Sequence, residues 1–409
     1  MRDLTFGVFR HIEGGRHEVH AAFQSLREAE ITSTARDFGA DLIAGRFKRP
    51  ETPDALDGGV ELAARLLRGL EAALITLGSH ARGRPKASEF AVAFGQDEGW
   101  LLPFTPRFRG DDISAERYFA KRGLARHRCI PKRLDTGHQI DLHLIDQRFG
   151  EELHAAAGLF ESLELLDSRG EVIGRGGPFR AAAIQRAPDG AVEDILKSVC
   201  ETTPAPQILV FPELSLRPED REEIVRLLRT VPWDVDLSGP RPSLVVAGSW
   251  HDVITQGAEA GGVHNAAPVY DGFGNAVGRH LKHAPYWADG DDEKLVEDIV
   301  VGTKILVLAS RSLTVAVAIC LDFCQTSTAN PYDELDVDLV LVTSLADGNT
   351  TGKHAAQADR IWQRRRTATF LAQQDITPSY GVAGAKPYDQ TFADSADRPL
   401  AVRKFAPPA

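Results

Sequence analysis

The second half of this chain is crossed by continuous apolar runs: ILVFPE from residue 208, SLVVAG from 243, ILVLA from 305, LTVAVAIC from 313 and VDLVLVTS from 337. A strand with one face in water alternates apolar and polar residues, because successive side chains point to opposite faces. These runs do not alternate, so they read as strands buried on both faces. FRAAAIQ, HNAAPVYD and SYGVAGA are further strand candidates, and AVEDILKSVCE and REEIVRLLRTV between them have the spacing of amphipathic helices. Strands and helices interleaved in this way predict an α/β architecture.

The first half is organised differently. Apolar residues at three- and four-residue steps predict helices over 17–44 and 59–78, the second carrying Leu62, Leu66, Leu70 and Leu74 on one stripe. FAVAFG, WLLPF and IDLHLID read as short strands, and FGEELHAAAGLFESLELLD as a helix running into a strand. The Gly-rich segment SRGEVIGRGGP, residues 168–178, is the expected linker. It lacks the GxxxxGK[ST] of a phosphate-binding loop. A chain of 409 residues accommodates two domains. The expected division is an α-rich (α+β), mostly helical accessory domain over 1–178 and an α/β domain over 179–409.

Charge narrows the partners. Residues 1–178 are nearly neutral, so the formal net charge of −11 falls mostly on 179–409 and argues against nonspecific nucleic-acid binding by that half. The segment 107–133 is a local exception, with basic residues from Arg107 to Arg133 set against Asp111, Asp112 and Glu116, and Tyr118 and Phe119 among them. It reads either as a contact for a macromolecular partner's phosphates or as a solvated face paired with the acidic half. His127, Cys129, His138 and His143 match no zinc spacing, so no metal is expected. No run reaches the roughly 18 apolar residues that span a bilayer, so no membrane is expected. The N-terminus has no apolar signal core. Together with Cys129, Cys200, Cys320 and Cys324, this reads as a cytoplasmic protein with reduced thiols.

Three strings put one reactive side chain each where a strand runs out: ILVFPELSL carries Glu213, GRHLKHAPYW carries Lys282 and VAVAICLDF carries Cys320. Any one alone is ordinary, respectively a solvated strand cap, a surface lysine and a structural thiol. Their order and context, over roughly residues 179–384, resemble the nitrilase, or carbon–nitrogen hydrolase, superfamily. The AAAIQ strand and a helix precede ILVFPEL. HNAAPVYDGFGNAVGRHLKH has the family's Asn, turn and lysine-bearing strand, and AICLD precedes the strand VDLVLVTS.

The resemblance implies a four-layer α-β-β-α sandwich and a cysteine hydrolase of a small amide-type bond that needs no cofactor. By carry-over, Cys320 is the nucleophile, favoured as a thiolate by nearby Lys282. Glu213 is the general base and acid, and the Lys282 ammonium and the N–H of Leu321 hold the oxyanion. Glu297, five residues before Gly302, is favoured over Glu293 as the family's second glutamate, with an exposed acidic face as the bland alternative. Asp322 caps the turn after the cysteine. A homodimer is the family default. The chain departs from the pattern in having Leu321 after the cysteine, no Pro-Glu pair downstream, and RRRTATFLA where the family carries a Glu and an Asn. Those departures leave two alternatives open: a nitrilase-fold regulatory or binding module whose N-terminal region recognises a macromolecule, or acyl transfer from the same thioester.

Overall fold

The computed structural model describes most of residues 127–374, the strands at 380–384 and 400–405, and short pieces before residue 127. Two compact units emerge, residues 1–134 with 408–409, and residues 135–407. In the first, β1 (Val92–Phe94), β2 (Gly99–Pro103) and β3 (His127–Pro131) form an antiparallel sheet in that order. Residues 66–71 are helical, and Leu66 and Leu70 of the expected stripe are buried there. Most of the two long helices expected over 17–44 and 59–78 lies outside the described residues.

The second unit is built on two large sheets. In one, the order is β11 (Trp250–Val253), β12 (Val263–Asp271), β10 (Leu244–Val246), β9 (Ile208–Val210), β5 (Leu153–Gly158) and β21 (Leu400–Phe405), with β13 (Ala276–Leu281) also paired to β12. In the other, the order is β20 (Tyr380–Gly384), β19 (Ala368–Gln374), β18 (Leu339–Leu345), β17 (Thr314–Ile319), β16 (Lys304–Ala309) and β4 (Gln139–Leu144). The apolar runs ILVLA, LTVAVAIC and VDLVLVTS are adjacent strands of this sheet, ILVFPE and SLVVAG supply β9 and β10 of the other, and every residue of β17 is buried. Strands β5, β9 and β10 run parallel to one another, as do β17, β18 and β19. Their C-terminal ends therefore share one edge in each sheet, where ligand sites of parallel sheets form.

The sheets meet face to face, with β13 against β16 and β17, β9 against β18, and β5 against β19. Gly278 permits a close approach, since a Cβ there would lie 2.8 Å from a methyl of Leu306. Helices α1 (Ala191–Glu201) and α2 (Pro218–Thr230) bury Ile195, Val199, Ile224 and Leu228 against Leu209, Phe211 and Val245 of the first sheet. On the second sheet, α4 (Gly348–Arg365) packs on β19, β20 and the short α3 (Leu321–Cys324). Among the described residues, no helix is long and apolar enough to cross a membrane.

Two expectations need correction. The segment 168–178 is not where the compact units divide. Strand β4 pairs in parallel with β16 and β5 with β9, so residues 139–144 are part of one sheet and 153–158 of the other. The linker itself ends in β7 (Gly177–Phe179), which pairs with β15 (Leu295–Glu297). Nor is LHAAAG helical. All six of its residues are buried in β5, between β9 and β21. Alanine favours helix in isolation, but sheet pairing on both edges overrides that preference.

Candidate active site

Glu213 follows β9, Lys282 follows β13, Glu297 ends β15 and Cys320 follows β17, and all four side chains are buried. Lys282 Nζ donates to Glu213 Oε1 at 2.7 Å and to Glu297 Oε2 at 2.5 Å. Cys320 joins the group through β18: Ser344 Oγ donates to its sulfur at 3.5 Å, and the neighbouring Leu345 N–H donates to Glu213 Oε2 at 3.2 Å. Glu293, the alternative second glutamate, lies outside the described residues.

The backbone is bent where these groups are presented. Cys320 has φ of 45° and Leu214, next to Glu213, has φ of 50°, a region that costs non-glycine residues free energy. The Cys320 turn is held by its amide donating to Thr343 O at 2.8 Å and by His354 Nε2 donating to its carbonyl at 3.1 Å. Leu214 N–H donates to Ser249 Oγ at 3.2 Å. Leu321 supplies the first amide of α3, in the turn whose N–H groups have no partner within the helix.

Burial and the cluster's own charges set the protonation states. Burial pushes Lys282 toward its neutral form, but Glu213 and Glu297 outweigh it and hold the ammonium well above the ordinary lysine range. Burial also disfavours charge on Glu297, yet Lys282 and the hydrogen bond from His251 overcome it and hold the carboxyl far below its usual range. Glu213 goes the other way. Burial raises it, Glu297 adds to the rise, and Lys282 only partly offsets them. Cys320 is also raised, by burial and by the Glu213 charge, with Lys282 opposing. Lys282 pulls toward the thiolate, as expected of it, but burial and Glu213 outweigh it, so loss of the thiol proton needs an acceptor such as Glu213.

Asp322 does more than the local cap expected of it. It accepts the N–H of Ile319 at 3.2 Å, as a cap would, and also binds His280 Nε2 and the N–H groups of His283 and Ala284. His280, His283 and Asp322 have the composition of a metal site, with ligand atoms within 4.8 Å of one another. Their geometry is that of a tie instead, because both Asp322 oxygens are already committed to those four donors. Asn265 and His251 complete the network around the two glutamates. Asn265 Nδ2 bridges Glu213 Oε1 at 3.0 Å and Glu297 Oε1 at 2.7 Å, and His251 Nε2 reaches Glu297 Oε1 at 3.0 Å. Only the Asn of HNAAPVYD gave a sequence signal. The His of GSWHD had none, since its partner lies 46 positions away. A cleft of about 1090 Å³ lined by Arg180, Arg221, Tyr270 and Arg279 touches His251 but not Cys320.

Elsewhere, His127 bonds Glu71 and His143 bonds Asp141, so these histidines have partners other than a shared ion. Of the basic segment 107–133, Arg128 is buried in β3 and Lys132 lies 5.9 Å from the Trp100 ring, while most of the rest falls outside the described residues.

No protein-family model matches the sequence, and no curated protein matches it either. Solved structures do. An amidase from Nesterenkonia sp. is 14% identical with a TM-score of 0.40, over 64% of this chain and 93% of that one. A variant of that amidase, described as from the nitrilase superfamily, is 15% identical with a TM-score of 0.39, over 63% of this chain and 92% of that one. A glutamine-dependent NAD+ synthetase from Acinetobacter baumannii in complex with ADP is 16% identical with a TM-score of 0.43, over 62% of this chain and 45% of that one.

Proposed function

We propose that residues 135–407 form a four-layer α-β-β-α unit that hydrolyses a small amide-type carbon–nitrogen bond through a thioester on Cys320. One observation carries the reading: Lys282 lies wholly inside the protein between two carboxylates, 2.7 Å and 2.5 Å away. Taking three charged groups out of water is expensive, and well-packed apolar residues would stabilise a scaffold at least as well. A cluster that also drives two carboxyl pKa values apart is the arrangement acid–base chemistry requires.

The sequence of steps follows from those states. Glu213, ionised beside Lys282 and made a stronger proton acceptor by burial, takes the Cys320 proton as the sulfur attacks the carbonyl carbon, so a thiolate need not persist. The negative charge that develops on the carbonyl oxygen is met by the Lys282 ammonium and the Leu321 N–H. Glu213 returns the proton to the departing amine, the C–N bond breaks, and the acyl group remains on sulfur. A water then gives its proton to Glu213 and attacks the thioester, releasing the acid and regenerating the thiol. Glu297 stays ionised throughout as the counter-ion of Lys282. Leu214, Leu345 and Trp250 belong to one apolar cluster beside Glu213, which suits a substrate of low polarity next to the scissile bond.

The test compares wild type with Cys320→Ala in a metabolite extract, following amides consumed and ammonia released. Consumption by wild type alone, with free acid as product, supports hydrolysis. A product conjugated to an added amine identifies acyl transfer instead. No difference between the two proteins favours a binding or regulatory module, a reading that the departures around Leu321 and the near-complete burial of Cys320 support.

A further inference from the structure

Glu213 and Glu297 share one lysine and one asparagine, yet their environments push them in opposite directions. The hydrogen bonds differ. Glu213 receives Lys282 and Asn265 on Oε1 and a single backbone N–H, from Leu345, on Oε2. Glu297 receives Lys282 and the Tyr286 N–H on Oε2, and Asn265 and His251 on Oε1. Donors to the ionised form of a carboxyl favour that form. The side-chain donor that Glu297 has and Glu213 lacks is His251.

The backbone fixes which nitrogen of His251 donates. Its Nδ1 accepts the N–H of Ala181 at 2.8 Å, so the ring proton sits on Nε2 and points at Glu297. The ring is buried, with Phe179 at a centroid distance of 6.1 Å on one side. We infer that His251 is a positioning residue that holds Glu297 as the fixed counter-ion of Lys282 and thereby leaves Glu213 as the proton acceptor. The inference rests on the hydrolase reading above and extends it to a residue that touches neither the sulfur nor the lysine. Without the Nε2–H, the two glutamates compete for Lys282, and the base loses its advantage over its neighbour.

Two substitutions separate this role from a structural one. In His251→Asn the side-chain carbonyl takes the place of Nδ1 and still accepts the Ala181 N–H, but no donor from position 251 reaches Glu297. In His251→Gln the amide takes the place of Nε2 and donates to Glu297, while the tie to Ala181 is lost. The readout is the rate of Cys320 alkylation by iodoacetamide, followed by peptide mass spectrometry. In that reaction a C–S bond forms, iodide leaves and the thiol proton passes to Glu213. Thermal unfolding of each variant shows that it is folded.

The expected result is a rate about ten- to a hundredfold lower in His251→Asn, the range for losing one charge-assisted hydrogen bond, with His251→Gln close to wild type. The reverse order, with the Gln variant slow and the Asn variant normal, assigns His251 to holding Ala181 and overturns the inference. Equal rates in all three proteins overturn it as well. A wild-type rate that Glu213→Gln leaves unchanged is a different failure, since it removes the hydrolase reading and the inference with it.

Discussion

Asp322 reaches from the turn that carries Cys320 to the backbone of His283, whose N–H donates to its Oδ1 at 2.9 Å. The next amide, of Ala284, donates to the same oxygen at 2.8 Å, and His280 Nε2 donates to Oδ2 at 3.0 Å. One buried carboxylate thus fastens the cysteine turn to the loop that begins at Lys282. Nucleophile and lysine come from different sheets, and this tie sets their relative position.

Asp322→Asn replaces one acceptor oxygen with an NH2 group facing donors. Breaking a charge-assisted contact and stranding a buried N–H together cost roughly 2–4 kcal/mol. Urea unfolding is expected to show that loss, together with slower Cys320 alkylation. A variant within about 0.5 kcal/mol of wild type removes Asp322 from this role.

Lys282→Met leaves Glu213 and Glu297 buried side by side with no cation between them. Breaking a buried pair by removing one partner costs about 3–5 kcal/mol. Adding Glu297→Gln to Lys282→Met is expected to recover part of that loss, because one of the two repelling charges is gone. Strict additivity in a double-mutant cycle measured by denaturant unfolding contradicts the coupling.

His283 gives the fold a pH dependence. Burial lowers its pKa from 6.5 to about 4, with Asp322 opposing and His280 and His138 reinforcing the shift. The folded state therefore resists a proton that the unfolded chain accepts. Stability from this group is complete above pH 6.5, declines as pH falls toward 4 and then levels off, for a total of about 3 kcal/mol. His138, also lowered by burial, acts in the same direction. Unfolding free energies measured across that window are expected to slope downward in wild type and to flatten in His283→Gln. An equal slope in both locates the titration elsewhere.

Gly302 has no room for a side chain. A Cβ there would lie 2.4 Å from the carbonyl oxygen of Leu281, one residue before the lysine, and the Gly302 N–H already donates to Lys282 O at 2.8 Å. Gly302→Ala is expected to cost about 1–3 kcal/mol as overpacking and to slow Cys320 chemistry by moving Lys282. Unchanged thermal stability rules out the clash.

The long apolar runs made much of the second unit legible. ILVLA, LTVAVAIC and VDLVLVTS became β16, β17 and β18, and AVEDILKSVCE became α1. Burial on both faces leaves an unmistakable trace in composition. LHAAAG left a misleading one, because alanine tolerates either conformation and only the neighbours β9 and β21 decide for strand. At the site, Glu213, Lys282 and Cys320 were readable because each follows a strand within a patterned string. Asn265 and His251 were harder to see, since their roles depend on which side of a strand meets a carboxylate from elsewhere. The direction in which the Cys320 pKa moves is illegible in the sequence for a related reason. The attraction of one nearby lysine is easy to anticipate, whereas desolvation depends on every atom packed around the sulfur.

Strands β4 and β5 carry a practical lesson for anyone trimming this protein. A fragment begun at Phe179 would strip β16 and β9 of their parallel neighbours and leave a row of unpaired amides and carbonyls along each. Such a truncation should aggregate, and a soluble recombinant version of the second unit has to start upstream of Gln139.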